Sequence, residues 1–122
     1  MSSVAAQAYA RVAITTSSPR DIEAQALLTA ANKLQAVMTN ADATYAQTSE
    51  ALMFNRKLWS IFLSEAQRDS KPQPLEVRQK IANIGIFVLS QTAALQLSPQ
   101  REHFESLIEI NRNIAAGLSG RP

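Results

Sequence analysis

The sequence predicts an all-α fold, a bundle of four main helices preceded by a short N-terminal one, and three observations carry that prediction. Apolar residues recur at helical spacing over several long stretches, proline-containing breaks separate those stretches, and no run alternates apolar and polar residues with the two-residue period of a strand. At 122 residues the chain suits one helical domain spanning 1–122, a size that buries roughly two thirds of the surface its unfolded form exposes. With 46% hydrophobic residues and only three glycines, the composition is that of a folded helical protein and not of a disordered one.

Each element follows from local chemistry. Ser2 to Ala13 is alanine-rich and suits a short helix, but the β-branched and small polar residues Thr15 to Ser18 disfavour its continuation. Residues 1–17 are therefore expected to fray or to depend on a partner for order. Ser18-Pro19 reads as an N-cap followed by the first helical residue, and Asp21 and Glu23 place negative charge in the first turns, where the helix dipole favours it. Leu27, Ala31, Leu34 and Met38, widened by Ala30 and Val37, form the core stripe of this helix until Thr39 and Asn40 weaken the pattern.

Asn40 to Thr48 is polar and poorly periodic and reads as a connection, partly helical. The next helix is expected from about Ser49 to Asp69, stopped by Pro72 and Pro74. Pro74 is placed as the first residue of the following helix, whose positions Val77, Ile81, Ile84, Val88 and Leu95 keep helical spacing with only Gln91 polar among them. Ser98-Pro99 reads as a second cap-plus-proline device. It opens a last helix with Phe104, Leu107, Ile108, Asn111, Ala115 and Leu118 on one face, ended by Gly117 and Gly120.

The segment Ala51 to Phe62 holds the only tryptophan and two of the four phenylalanines. Leu52, Met53, Phe54, Leu58, Trp59, Ile61, Phe62 and Leu63 cover most of a helix circumference, so this helix cannot face water alone. The plainer reading packs Phe54, Leu58, Trp59 and Phe62 in the core. The sharper one leaves part of the run lining a groove for an amphipathic helix, with Arg56 assisting. Amides on apolar faces need partners, so Asn55 and Asn111 are expected to bond to backbone or to each other. Gly85, inside a helix, is expected to permit close approach of a neighbour, Trp59 being the candidate.

Reactive chemistry finds little support. Cysteine is absent and His103 is the single histidine, placed on the polar side of its helix as a surface residue. Glu102, Glu105 and Glu109 share a face without a second histidine or a facing acidic helix, which describes a solvated acidic stripe better than a metal site. No glycine-rich phosphate loop or nucleophile elbow occurs. The expectation is a non-enzyme with no metal, no cofactor and no small-molecule substrate. Gln7 and Arg11 interrupt what would otherwise be a signal-like start, and Asn83, Ser90, Gln91 and Gln96 make Ile81 to Leu97 too polar to span a bilayer. A cytoplasmic protein without membrane contact is expected.

Net charge is only +2. Between positions 56 and 80, however, Arg56, Lys57, Arg68, Lys71, Arg78 and Lys80 outnumber Glu65, Asp69 and Glu76. That basic stretch is the case for RNA, weakened by the lack of interleaved aromatic stacking residues.

Four stretches in order carry a family resemblance: Ser18-Pro19-Arg20-Asp21-Ile22-Glu23-Ala24, Phe54-Asn55-Arg56-Lys57-Leu58-Trp59-Ser60-Ile61-Phe62, Ile84-Gly85-Ile86-Phe87-Val88, and Ile108 to Leu118 with Asn111-Arg112. Together they resemble the alphaproteobacterial FlaF family of flagellar biosynthesis regulators, across about residues 9 to 118. The resemblance implies a positive regulator of flagellin synthesis and export. It would act after transcription, in opposition to a FlbT-type regulator, by binding newly made flagellin as a cytoplasmic secretion chaperone. An RNA-binding regulator of flagellin mRNA is the alternative. The positions matching the family core, and so the candidate partner-binding residues, are Asn55, Arg56, Leu58, Trp59, Phe62, Asn111 and Arg112.

Overall fold

Proline at the start of a helix loses no hydrogen bond, since the first N–H groups have no intrahelical acceptor, and its fixed φ suits the first turn. Pro19 opens α1 in this way (Pro19–Thr39), with Asp21 in the first turn. A computed structural model describes residues 19–66 and 74–120. The expected N-terminal helix over Ser2 to Ala13 and the Gln67–Asp69 end of the tryptophan helix lie outside the described residues. Three further helices come after it, α2 (Tyr45–Ala66), α3 (Leu75–Leu97) and α4 (Arg101–Leu118), and no strand occurs among the described residues.

The α1–α2 connection is shorter than its polar composition suggests. Thr39 Oγ1 donates back to the Gln35 carbonyl at 2.9 Å, and Asn40 Oδ1 accepts the Asp42 N–H at 2.9 Å, so the chain turns at once. Thr44 and Gln47 then form a reciprocal capping box. The Gln47 N–H donates to Thr44 Oγ1 at 3.1 Å and the Thr44 N–H to Gln47 Oε1 at 2.9 Å. With two end donors satisfied, α2 begins at Tyr45, four residues before the Ser49 start expected from apolar spacing.

Both later proline devices act one step differently from their expected roles. Pro74 is the residue before α3 rather than its first residue, with φ −57° and ψ 148°. Ser98 closes α3 instead of opening α4. The ring of Pro99 drives the residue before it out of the helical region, and Ser98 accordingly sits at φ −150° and ψ 93° while its N–H still bonds Ala94 O at 2.9 Å. Gln100, extended at φ −130°, is the N-cap of α4 and makes no side-chain cap bond. At the other end Gly117 stays helical, and Gly120 takes the left-handed conformation at φ 73°.

The helices alternate in direction, and two intimate pairs, α1 with α4 and α2 with α3, join through α1–α2 and, least closely, through α3–α4. One core runs through all four. Ala24, Leu27, Ala31 and Leu34 of α1 meet Ala51, Leu52 and Trp59 of α2, Val88 and Leu95 of α3, and Phe104, Leu107, Ile108 and Ala115 of α4. The buried alanines of α1 let its axis approach α4 closely. The loose α3–α4 seam, by contrast, leaves Phe87 outside this core and exposed.

Candidate partner-binding surface

The residues matched across the family core divide into an internal fastening and a surface. Trp59 is 1% exposed, and Asn55 and Asn111 are fully buried. Trp59 Nε1 donates to Asn111 Oδ1 at 2.9 Å, and Asn111 Nδ2 donates to Asn55 Oδ1 at 2.7 Å and to the Leu27 carbonyl at 3.5 Å. The expected Asn55–Asn111 partnership is thus present, with the indole as a third member. Asn55 Nδ2 is left without a partner. Phe62, half-buried, sets its ring edge-on to Trp59 with centroids 5.4 Å apart and planes at 88°. Leu58 packs half-buried against the same core.

Asn55, Trp59 and Asn111, three of the candidate partner-binding residues, lie inside the bundle. A side chain sealed between four helices meets no partner unless the bundle opens, and these three tie α1, α2 and α4 together instead. Of the seven candidates only Arg56 and Arg112 have exposed positions, on α2 and α4. Arg112 is engaged by Gln35 Oε1 of α1. Phe54, read as core, is exposed at the α1–α2 boundary, where the Lys33 ammonium lies 5.1 Å from its ring centroid. Gly85 does face Trp59. A methyl there would stand 3.6 Å from both Trp59 Cε3 and Leu63 Cβ, ordinary contact distance, so the approach does not require glycine.

Sequence reasoning missed the α3–α4 seam. α3 is apolar on its outer side as well as its inner one: Ile86 is 58% exposed and Phe87 45%, with Leu75 and Val77 exposed nearer its start. Where α3 and α4 part, Ile84 and Phe87 face Ile110 and Ile114 across a cleft of about 390 Å³, and Asn83 and Asn113 supply its polar margin. The signal was present in the all-round apolar character of α3, which spacing against a single core stripe conceals. One to two turns above the cleft, Gln91 Oε1 and His103 Nδ1 are buried without a partner. His103 is therefore half-buried rather than the surface histidine expected.

A larger cleft of about 540 Å³ lies at the loop end of the bundle, between Val37, Leu52, Leu95 and Phe104, with Asn40, Thr48, Gln96 and Arg101 at its polar rim. Exposed Tyr45 and Leu97 also line it. Its lining is mainly apolar with a substantial polar share, whereas the α3–α4 cleft is nearly all hydrocarbon. Of the basic stretch, Arg68 and Lys71 lie outside the described residues, Arg56 and Lys57 are exposed on α2, and Lys80 reaches Glu76 at 3.7 Å on a solvated face. The acidic positions of α4 are exposed, and Glu105 accepts from Arg101 Nε at 3.0 Å. Among the described residues no group of three or more His, Asp or Glu side chains could hold a metal ion, and no helix is long and apolar enough to cross a membrane.

A family model described as "Flagellar protein FlaF" matches residues 5–118. No curated protein and no solved structure matches the chain.

Proposed function

The chain belongs to the FlaF family of flagellar proteins, and from that premise we propose that it promotes flagellin synthesis and export by holding newly made flagellin in the cytoplasm as a secretion chaperone. The observation that carries this reading is the hydrocarbon cleft between α3 and α4, lined by exposed Phe87, with Ile86 also exposed on α3. Large apolar side chains left in water on one face mark a surface built to be covered. A segment that is disordered before assembly can fold as a helix against such a groove, gaining the burial that offsets its ordering entropy.

In this reading the protein acts by binding, without catalysis, cofactor or small-molecule substrate. Sequestering flagellin relieves the restraint on its translation, in functional opposition to a FlbT-type regulator. The buried trio of Asn55, Trp59 and Asn111 serves the reading indirectly, by fixing the two helix pairs that form the cleft between them.

Direct RNA binding is the competing mechanism, favoured by the exposed cations Arg56 and Lys57 on α2. Salt separates the two. Calorimetric titration with purified flagellin should give a complex whose affinity changes little as salt rises, because apolar burial releases few counterions. A complex with the leader of flagellin mRNA, weakening steeply over the same range, together with no flagellin binding, would replace the chaperone reading by the RNA one.

A further inference from the structure

We propose that the outer face of α3 pairs with the same face of a second copy of the chain, antiparallel, about a two-fold axis at Ile86. Gly85, Val88, Thr92 and Leu95 mark the inner side of this helix. On the opposite side Leu75, Ile86 and Leu97 recur every eleven residues, about three helical turns, so they stand nearly in line along it. All three are exposed, by 58%, 58% and 89%. From Ile81 to Leu97 the helix carries no charged residue on any side, although Asn83, Ser90 and Ala93 face outward beside Ile86. A face meant only for water carries charge, and a long uncharged one with large apolar side chains is built to be covered.

The order of the stripe names its occupant. Between the three large residues stand Gln79, Ala82, Ser90 and Ala93, so the intervals from Leu75 to Leu97 are 4, 3, 4, 4, 3 and 4 residues. That series reads the same in both directions. Turning a second α3 end for end about Ile86 therefore sets Ile86 on Ile86, Ala82 on Ser90, Gln79 on Ala93 and Leu75 on Leu97. Large side chains meet at the centre and the ends, and the small ones beside the centre let the axes approach. A two-fold contact has to be self-complementary in this way. Charge fixes the direction. Glu76, Arg78 and Lys80, all in the first turns of α3, then meet the uncharged last turns of the other copy, whereas a parallel pair would set each beside its own like. The area suffices as well. The exposed fractions leave roughly 600 Å² of stripe to cover on each copy, about 1,200 Å² for the pair, the lower end of specific interfaces. Phe87 and the α3–α4 cleft lie about a quarter turn away around the helix.

This pairing goes beyond the functional reading and does not rest on it. In sedimentation equilibrium of the full chain the weight-average mass should double between about 1 µM and about 1 mM, the range in which an interface of this size associates. Ile86→Asp sets two carboxylates on the axis and should remain monomeric, with an unchanged melting curve because the position is exposed. The chain has no cysteine, so introduced thiols report the register. Ile86→Cys should oxidise to a disulfide-linked dimer roughly tenfold faster than Ile61→Cys, exposed on α2, because pairing raises the effective concentration of the first thiol alone. Ala82→Cys mixed with Ser90→Cys should link to each other faster than either links to itself. A chain monomeric throughout that range, a dimer that survives Ile86→Asp, or equal rates for Ile86→Cys and Ile61→Cys would overturn the proposal. So would Ala82→Cys linking to itself in preference to Ser90→Cys, the mark of a parallel pair. A monomeric chain that loses flagellin binding on Ile86→Asp would also overturn it, by assigning the stripe to the client. A dimer with this register that binds no flagellin would defeat the chaperone reading and leave the pairing in place.

Discussion

The indole of Trp59 donates to the carboxamide oxygen of Asn111 at 2.9 Å, a bond between α2 and α4 that spans 52 positions of sequence and crosses the centre of the bundle. Those two helices are not a packed pair. The close pairs are α1 with α4 and α2 with α3, so this bond and its continuation to Asn55 fasten one pair to the other, while the bond to the Leu27 carbonyl ties α4 to α1 within its pair. Apolar packing alone is tolerant of sliding by part of a turn. A donor that must meet one acceptor in a dry interior is not, because a slip leaves both groups unpaired.

Trp59→Phe should therefore cost more than its loss of volume. Asn111 Oδ1 would be stranded at a cost of about 1–3 kcal/mol, while Trp59→Ala should cost about 3–5 kcal/mol through the cavity it leaves. Urea unfolding followed by far-ultraviolet circular dichroism measures both, and an unchanged midpoint for Trp59→Phe would show that the bond contributes nothing.

The two asparagines should not be equivalent. Among the described residues Asn111 makes three side-chain bonds, and Asn111→Leu strands the indole N–H and removes the partner of Asn55 Oδ1. Asn55 already carries an unpaired NH2 group, with both of its N–H donors unmet, so Asn55→Leu removes that liability while leaving Asn111 its other two bonds. Asn111→Leu should be the more destabilising by about 1–3 kcal/mol. Equal losses in chemical denaturation would contradict the network drawn from these distances.

Gly85→Ala should stabilise. The glycine sits inside α3, where alanine is favoured by about 1 kcal/mol, and the added methyl meets Leu63 and Trp59 at 3.6 Å, an ordinary contact. A raised melting temperature is expected, and a lowered one would mean that the α2–α3 pair cannot accept a methyl even at that spacing.

Much of this fold was legible, and the misreadings share one cause: spacing reports which side of a helix is apolar, not how its ends or its neighbours are bonded. Periodicity located the four helices because Leu27, Leu34, Val88, Leu95, Leu107 and Ile108 all turned inward as their spacing required. The ends were misplaced where hydrogen bonds set them. Thr44 with Gln47 started α2 early, and Pro99 acted on the helix before it. At the candidate site, the aromatic run drew attention to α2, whose tryptophan is internal. The cleft instead arises from how loosely α3 meets α4, a relation between two helices that neither one's own pattern encodes. The capping box offers its own check: Thr44→Ala should cost about 1 kcal/mol, and Gln47→Ala less, with the loss confined to the first turn of α2 in amide hydrogen exchange.

If the seam between α3 and α4 is where a client docks, binding and stability should come apart there. Phe87 is 45% exposed, so Phe87→Asp removes apolar area from the rim of the cleft without opening the core. Its melting curve should stay within about 0.5 kcal/mol of the parent, as for other surface changes, while flagellin affinity should fall by at least tenfold, the loss of about 1.4 kcal/mol. Arg56→Ala combined with Lys57→Ala, on the outside of α2, should leave that affinity nearly unchanged if apolar burial governs the complex. The reverse pattern, with binding lost on removing the cations and kept with aspartate in the cleft, would move the interface to α2 and favour an electrostatic partner. Because both variants alter exposed positions, neither outcome can be attributed to unfolding once the melting curves coincide.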